Sequence, residues 1–225
     1  MTTAPAEGVV LVNKPAGLTS HDVVATIRRG RDAKTGHAGT LDPFATGLLI
    51  VLVGRGATRE QDHFMSLPKT YRVTARFGAV STTGDPEGEI TETGVVPDGP
   101  LELPTGEVRQ LPPAYSAVKV HGERAYRLAR RGEKVEMPPR QVTVHRFEER
   151  WREEDRAGFE IECSSGTYVR SLIADLGDAY CEALERTAIG PFTVEEAGTG
   201  EGTEISLEDA LARLETYRSE GVRRR

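Results

Sequence analysis

The run Thr70–Gly78 (TYRVTARFG) does most to limit the folds open to this chain. Tyr71, Val73, Ala75 and Phe77 fall on one side of an extended strand, and Thr70, Arg72, Thr74 and Arg76 on the other. That alternation describes a half-buried strand with one packed face. Two further runs, Gly8–Val12 (GVVLV) and Leu48–Val53 (LLIVLV), are continuously apolar and read as short buried strands. Gln141–Trp151 and Gly158–Cys163 read as a hairpin closed by a charged turn. Thr19-Ser20-His21-Asp22 has capping-box spacing, with Val23, Val24 and Ile27 following at helical intervals and Gly30 at the end. Asn13–Gly17 is a turn cluster, and residues 35–47 are irregular. Residues 79–113, dense in Gly, Pro and acids, form a long excursion. Further helices are expected over Arg124–Arg131, over Thr167–Leu184 with Leu172, Ile173 and Leu176 inward, and over Ser206–Tyr217. Strands and helices mix without regular βαβ alternation, and neither an internal repeat nor a dividing linker is visible. The expected class is α+β with a mostly antiparallel sheet.

Composition bounds what this fold does. At 225 residues the chain suits one large domain or two small ones, and 37% hydrophobic residues suffice for a packed core. No stretch approaches the roughly 20 apolar residues of a membrane span, and MTTAPAEG does not resemble a secretory signal. Cys163 and Cys181 are too few for a disulfide framework or a zinc site, and read as buried thiols in a reducing cytosol. The net charge of −6 argues against coating nucleic acid by bulk charge, but it conceals polarity along the chain. Residues 85–107 carry seven acids and no base, whereas residues 109–140 carry eight bases against three acids. Such a basic segment is either a solvated face or a surface for phosphates.

Residues 34–54, KTGHAGTLDPFATGLLIVLVG, place one acid, Asp42, among Gly36, Gly39 and Gly47. A carboxylate on a glycine-rich loop sits where a ligand can approach closely. Asp-Pro equally suits a helix start, with Asp42 as the N-cap and Pro43 in the first turn. The two roles are compatible, since a capping carboxylate keeps one oxygen available.

GHAGTLDPFATGLL resembles the catalytic motif of the TruB family of tRNA pseudouridine synthases. VNKPAGLTSHDVV is similar to the family's N-terminal Lys-Pro motif, and PPAYSAVKVHGERAYRLARRGE to its RNA-gripping insertion. CSSGTYVRSLIADLG resembles its arginine-bearing helix and LERTAIGPF its closing motif. These motifs span about residues 8–192 in the family's order. Ala38 stands where a threonine is expected, and Glu185 where the family is more basic.

The resemblance implies a pseudouridine synthase fold, with a mixed, mostly antiparallel central sheet flanked by helices. It implies a catalytic domain over 1–192, a thumb-like RNA-binding insertion over 114–140, and a short extension over 193–225 with one helix, too short for the PUA domain of many bacterial members. The implied reaction isomerises uridine to pseudouridine in the T-loop of tRNA, at tRNA position 55, with the base flipped out. It needs no cofactor and no metal. By resemblance Asp42 is the carboxylate that acts at the ribose, as nucleophile or base. Arg170 keeps it ionised, and Tyr71 stacks on the uracil near the departing C5 proton. Read from its residues alone, Tyr71 is equally a core tyrosine and Arg170 a surface residue of a helix's first turn. His37 is matched to the residue against the disrupted RNA loop, or is a histidine bonded to its own backbone. Leu184 lines the pocket or merely packs. Lys14 supports the active-site loop or touches phosphate. Lys119, Arg124, Arg127, Arg130 and Arg131 would meet phosphates, with Tyr126 and Leu128 tethering the thumb. The acidic run 85–107 would repel RNA into the groove. The implied partner is the T stem-loop of tRNA, met by a cytoplasmic monomer without an obligate protein partner. Competing readings are an RNA-binding module without catalysis, a glycosidase-type hydrolase, which would need a second carboxylate beside Asp42, and a family relative with a ribosomal RNA target.

Overall fold

In a computed structural model of the chain, residues 7–112, 119–120, 123–124, 131 and 137–223 are described. They divide into two units, Met1–Tyr71 with Glu185–Arg225, and Arg72–Leu184. Two strands, β4 (Lys69–Phe77) and β12 (Ala179–Ile189), begin in one unit and end in the other.

The first unit is built on β1 (Gly8–Lys14) and β3 (Thr46–Val53), which pair antiparallel with Gly8 opposite Val53 and Lys14 opposite Gly47. Their uninterrupted apolar sequence has a direct cause, since both faces of this sheet are covered. Val10, Val12, Leu49, Val51 and Val53 pack on Val23 and Ile27 of α1 (Ser20–Arg28). Val9, Leu11, Leu48, Ile50 and Leu52 share a second cluster with Phe64, Phe192 and Leu214. Those last residues come from α3 (Gln61–Met65), β13 (Phe192–Thr193) and the long helix α5 (Leu207–Arg223). A short helix α2 (Arg55–Arg59) precedes α3. Beyond β1 lies β14 (Thr203–Ser206), antiparallel, and beyond β3 the C-terminal end of β12 runs parallel. β2 (Thr35–His37) folds back on β3, and β13 on β12.

The second unit contains β10 (Arg140–Glu153) and β11 (Arg156–Cys163), an antiparallel hairpin with two register shifts. β7 (Gly106–Gln110) flanks β10, and β4 flanks β11. A small antiparallel pair joins β5 (Ala79–Ser81) to β6 (Ile90–Glu92), and another joins β8 (Lys119–Val120) to β9 (Glu123–Arg124). The helix α4 (Val169–Ala174) precedes β12.

The expected α+β class holds, and the capping box at Thr19 and Asp22 forms as read. Five local expectations fail. The helix expected over 167–184 spans only Val169–Ala174, and Ala179–Ile189 is a strand. Gly177, at φ 134°, breaks the run, and sheet burial then overrides the helical preference of Glu, Ala, Leu and Arg. No helix follows Asp42-Pro43, so Asp42 is not an N-cap. Residues 35–37 are a strand, and the 79–113 excursion contains β5, β6 and β7. Arg124 lies in a strand, and residues 125–130 of the expected basic helix lie outside the described residues. Cys163 and Cys181 are both buried thiols, as expected.

Candidate active site

Asp42 lies in the loop that joins β2 to β3. A segment of eight residues without helix or strand has carbonyls that need partners. Here five consecutive ones are satisfied by five separate groups. The Gly39 and Thr40 oxygens accept from the Arg186 guanidinium at 3.2 and 3.3 Å. Leu41 exchanges a pair of bonds with Ser20 Oγ, which donates to its oxygen at 3.0 Å and accepts from its amide at 2.9 Å. The Asp42 oxygen accepts from the Ala45 amide at 3.2 Å. The Pro43 oxygen accepts from Lys14 Nζ at 3.2 Å and from the Gly17 amide at 2.8 Å. The backbone around Asp42 is thereby fixed, while its side chain is half-buried.

Lys14 has no exposed surface and also donates to the Pro15 and Leu18 carbonyls. Its bond to the Pro43 carbonyl ties it to the Asp42 loop. His37 closes β2 just before the loop; its ring meets His21 edge-on at 5.5 Å, and its carbonyl accepts from Gln61 Nε2. Tyr71 is 8% exposed, on the buried face of β4 predicted by the alternation. The strand leading to it is anchored by Lys69 Nζ, which donates to the Met65 and Leu67 carbonyls, and by Thr187 Oγ1, which donates to Thr70 O.

In the second unit Arg170 is buried in the first turn of α4. Its Nη1 donates to Asp85 Oδ2 and to the Thr83 carbonyl, each at 2.7 Å. Asp85 also accepts from Thr83 Oγ1 at 2.5 Å and from the Glu87 amide at 3.0 Å. The start of α4 is pinned by the buried Gln110 amide, which donates to Tyr168 O and accepts from Tyr168 N. Leu184 is a buried strand residue of β12 in this unit, not a helix residue. Lys119 and Arg124 are backbone register partners in the β8–β9 pair. Arg131 is an exposed turn residue, while Arg127, Arg130, Tyr126 and Leu128 lie outside the described residues.

Residues 28–169 match the profile of the TruB family pseudouridylate synthase, N-terminal domain. The chain belongs to the TruB family. This TruB family member is 47% identical over 234 residues to tRNA pseudouridine synthase B of Thermobifida fusca, covering 92% of this chain and 79% of that relative. It is 43% identical over 220 residues to the tRNA pseudouridine synthase B of Arthrobacter sp., covering 89% and 72%. Among solved structures it resembles a chain of a Cbf5–Nop10–Gar1 complex at TM-score 0.63 and 30% identity, over 95% of this chain and 56% of that one. A chain of an H/ACA RNP bound to a substrate RNA containing 2′-deoxyuridine matches at TM-score 0.60 and 26% identity, over 88% and 57%. The TruB family chain thus spans little more than half of those two solved chains.

Sequence reading missed three buried charged residues of this TruB family member, Lys69, Asp85 and Arg186. In the sequence Asp85 is only one of the seven acids of the run 85–107. Its signal was the turn cluster Ser81-Thr82-Thr83-Gly84-Asp85-Pro86, which favours an ordered, self-bonded carboxylate. Arg186 lies within the LERTAIGPF motif and carried no role there. Among the described residues no three side chains of metal-ligating type converge, and no helix is long and apolar enough to cross a membrane.

Proposed function

We propose that the chain isomerises a uridine of the tRNA T-loop to pseudouridine, with Asp42 as the reacting carboxylate. The observation that carries this reading is the belt of donors along residues 39–43, which fixes the backbone on both sides of one half-buried acid. A reactive group needs such preorganisation, because small displacements of a reacting atom slow the chemistry steeply.

The reaction moves a bond without net oxidation or hydrolysis. The N1–C1′ bond breaks, the uracil turns while bound, C5 bonds to C1′, the C5 proton leaves, and N1 gains a proton. Asp42 acts at the ribose as nucleophile or base. Tyr71 contributes a ring for stacking and a hydroxyl for the C5 proton. The role assigned to Arg170 is to keep the reacting carboxylate ionised, as guanidinium stays charged where carboxylates otherwise take up protons. Its pairing with Asp85 and Thr83 holds the side chain in one rotamer. The target base sits in a folded loop and must be flipped, with His37 against the disrupted loop and Leu184 lining the base pocket. Lys119, Arg124, Arg127, Arg130 and Arg131 are assigned to phosphates. The proposed enzyme acts on tRNA in the cytosol without a protein partner.

The test is incubation with an unmodified tRNA transcript followed by mapping of pseudouridine. Wild-type protein is expected to modify the T-loop uridine. Asp42→Asn is expected to lower the rate more than about 1000-fold while tRNA still binds. Tight binding without product from wild-type protein overturns the reading in favour of a binding module, and release of free uracil overturns it in favour of a hydrolase.

A further inference from the structure

We propose that Arg186 is the positioning residue that clamps the Asp42 loop, and that the reaction depends on the fan of its guanidinium rather than on its bulk. Arg186 is 1% exposed and among the largest fully buried side chains of the described residues. Its partners are main-chain carbonyls: Nε donates to Leu48 O at 2.8 Å, Nη1 to Thr40 O at 3.3 Å and Nη2 to Gly39 O at 3.2 Å. No carboxylate pairs with it among the described residues. A cation buried without a counter-ion is unfavourable, and an apolar side chain of similar volume fills such a site at lower cost. Filling space therefore does not explain this residue.

The placement of its three acceptors does. Gly39 and Thr40 precede Asp42 on the loop, and Leu48 follows it on β3. One planar group thus ties the two ends of the loop together across Asp42. Three different nitrogens of one rigid plane each serve one oxygen, whereas an ammonium would have to direct all three bonds from a single atom. One glycine seats the clamp: at Gly47 (φ +101°) a Cβ would stand 2.4 Å from the Arg186 carbonyl oxygen. Gly47 is also the register partner of Arg186 in the parallel β3–β12 pairing.

This inference rests on the reading that Asp42 does the chemistry. Arg186→Met and Arg186→Lys are compared with wild-type protein in single-turnover pseudouridine formation, per folded molecule, alongside tRNA affinity. Arg186→Met is expected to slow turnover about 100-fold with the tRNA Kd within about threefold of wild type. Arg186→Lys, which keeps the charge but not the fan, is expected to recover about tenfold. A purely structural role would lower the folded fraction and leave the rate per folded molecule unchanged. A folded Arg186→Met protein within threefold of the wild-type rate overturns the proposal. Where Arg186→Met does not fold, Arg186→Lys decides: slowed at unchanged Kd it supports the clamp, and at wild-type rate it removes it. Failure of both variants to fold makes the residue structural and also overturns the proposal. Hydrogen exchange at the Leu41 amide reads the clamp without catalysis and is expected to quicken in the variants. If wild-type protein makes no pseudouridine, the functional reading fails, and unchanged exchange at Leu41 in a folded variant is then what overturns the clamp.

Discussion

At the scale of single residues, the buried pair of Arg170 and Asp85 makes the sharpest stability prediction. Both side chains are almost wholly out of water, at 5% and 4% exposure. Removing Asp85 takes an ionic partner from a desolvated guanidinium that keeps its bond to Thr83 O, at a cost of up to about 3–5 kcal/mol. Asp85→Ala is expected to lower the free energy of unfolding by about that amount in denaturant titration, and an effect below about 1 kcal/mol would show that the pair is dispensable. Asp85 was illegible beforehand for a physical reason. A turn sequence announces that its carboxylate is locally bonded, but nothing local announces a partner 85 residues away. Arg186 was hidden likewise, since a buried cation among carbonyls leaves no trace in local pattern. Lys14 was easier, because Lys-Pro-Ala-Gly places it against its own turn. Asp42 stood out as a lone acid among glycines, although the dipeptide Asp42-Pro43 suggested a helix start that the chain does not make.

Among elements, the backbone conformation of glycine decides what can change. Gly47 has φ +101°, and an added Cβ would collide with the Arg186 backbone at 2.4 and 2.8 Å. Gly36 in the neighbouring strand meets nothing within 4 Å. Gly47→Ala is therefore expected to destabilise the fold by at least about 2 kcal/mol and Gly36→Ala by far less, a contrast that parallel thermal melts would read. The first helix gives a pH-dependent prediction. Bonds from the Thr19 hydroxyl and amide hold the Asp22 carboxyl below its ordinary value of 3.8. With the folded value depressed, the contribution is present above the unfolded value and is lost as pH falls through the folded one. Wild-type protein should therefore lose stability more steeply than Asp22→Asn on acidification below about pH 4; parallel slopes would refute the capping role. The helix itself was legible because capping spacing and apolar period agreed. β4 was legible from strict alternation. β12 was not, because its Glu, Ala, Leu and Arg favour a helix in isolation and only burial in a sheet makes them a strand.

For the whole molecule, charge and chain path matter more than any single bond. The net charge of −6 opposes RNA at long range, and the proposed phosphate contacts are the local cations of the basic middle segment. If five of them meet phosphates, tRNA affinity should fall with salt at a log–log slope of about −3.5 to −4.5. A slope near zero in filter-binding titrations would remove them from the interface. The α+β class was legible because each strand carries its own pattern. The division into two units was not, since the first is assembled from the two ends of the chain and no linker marks its limits.

That chain path bears on synthesis as well as on shape. The loop around Asp42 is closed by a guanidinium 146 and 147 positions later, at Thr40 and Gly39. A ribosome making this protein releases the acid long before it releases the arginine that steadies it. An emerging polypeptide thus carries the carboxylate proposed to react on a slack tether until the arginine has followed it.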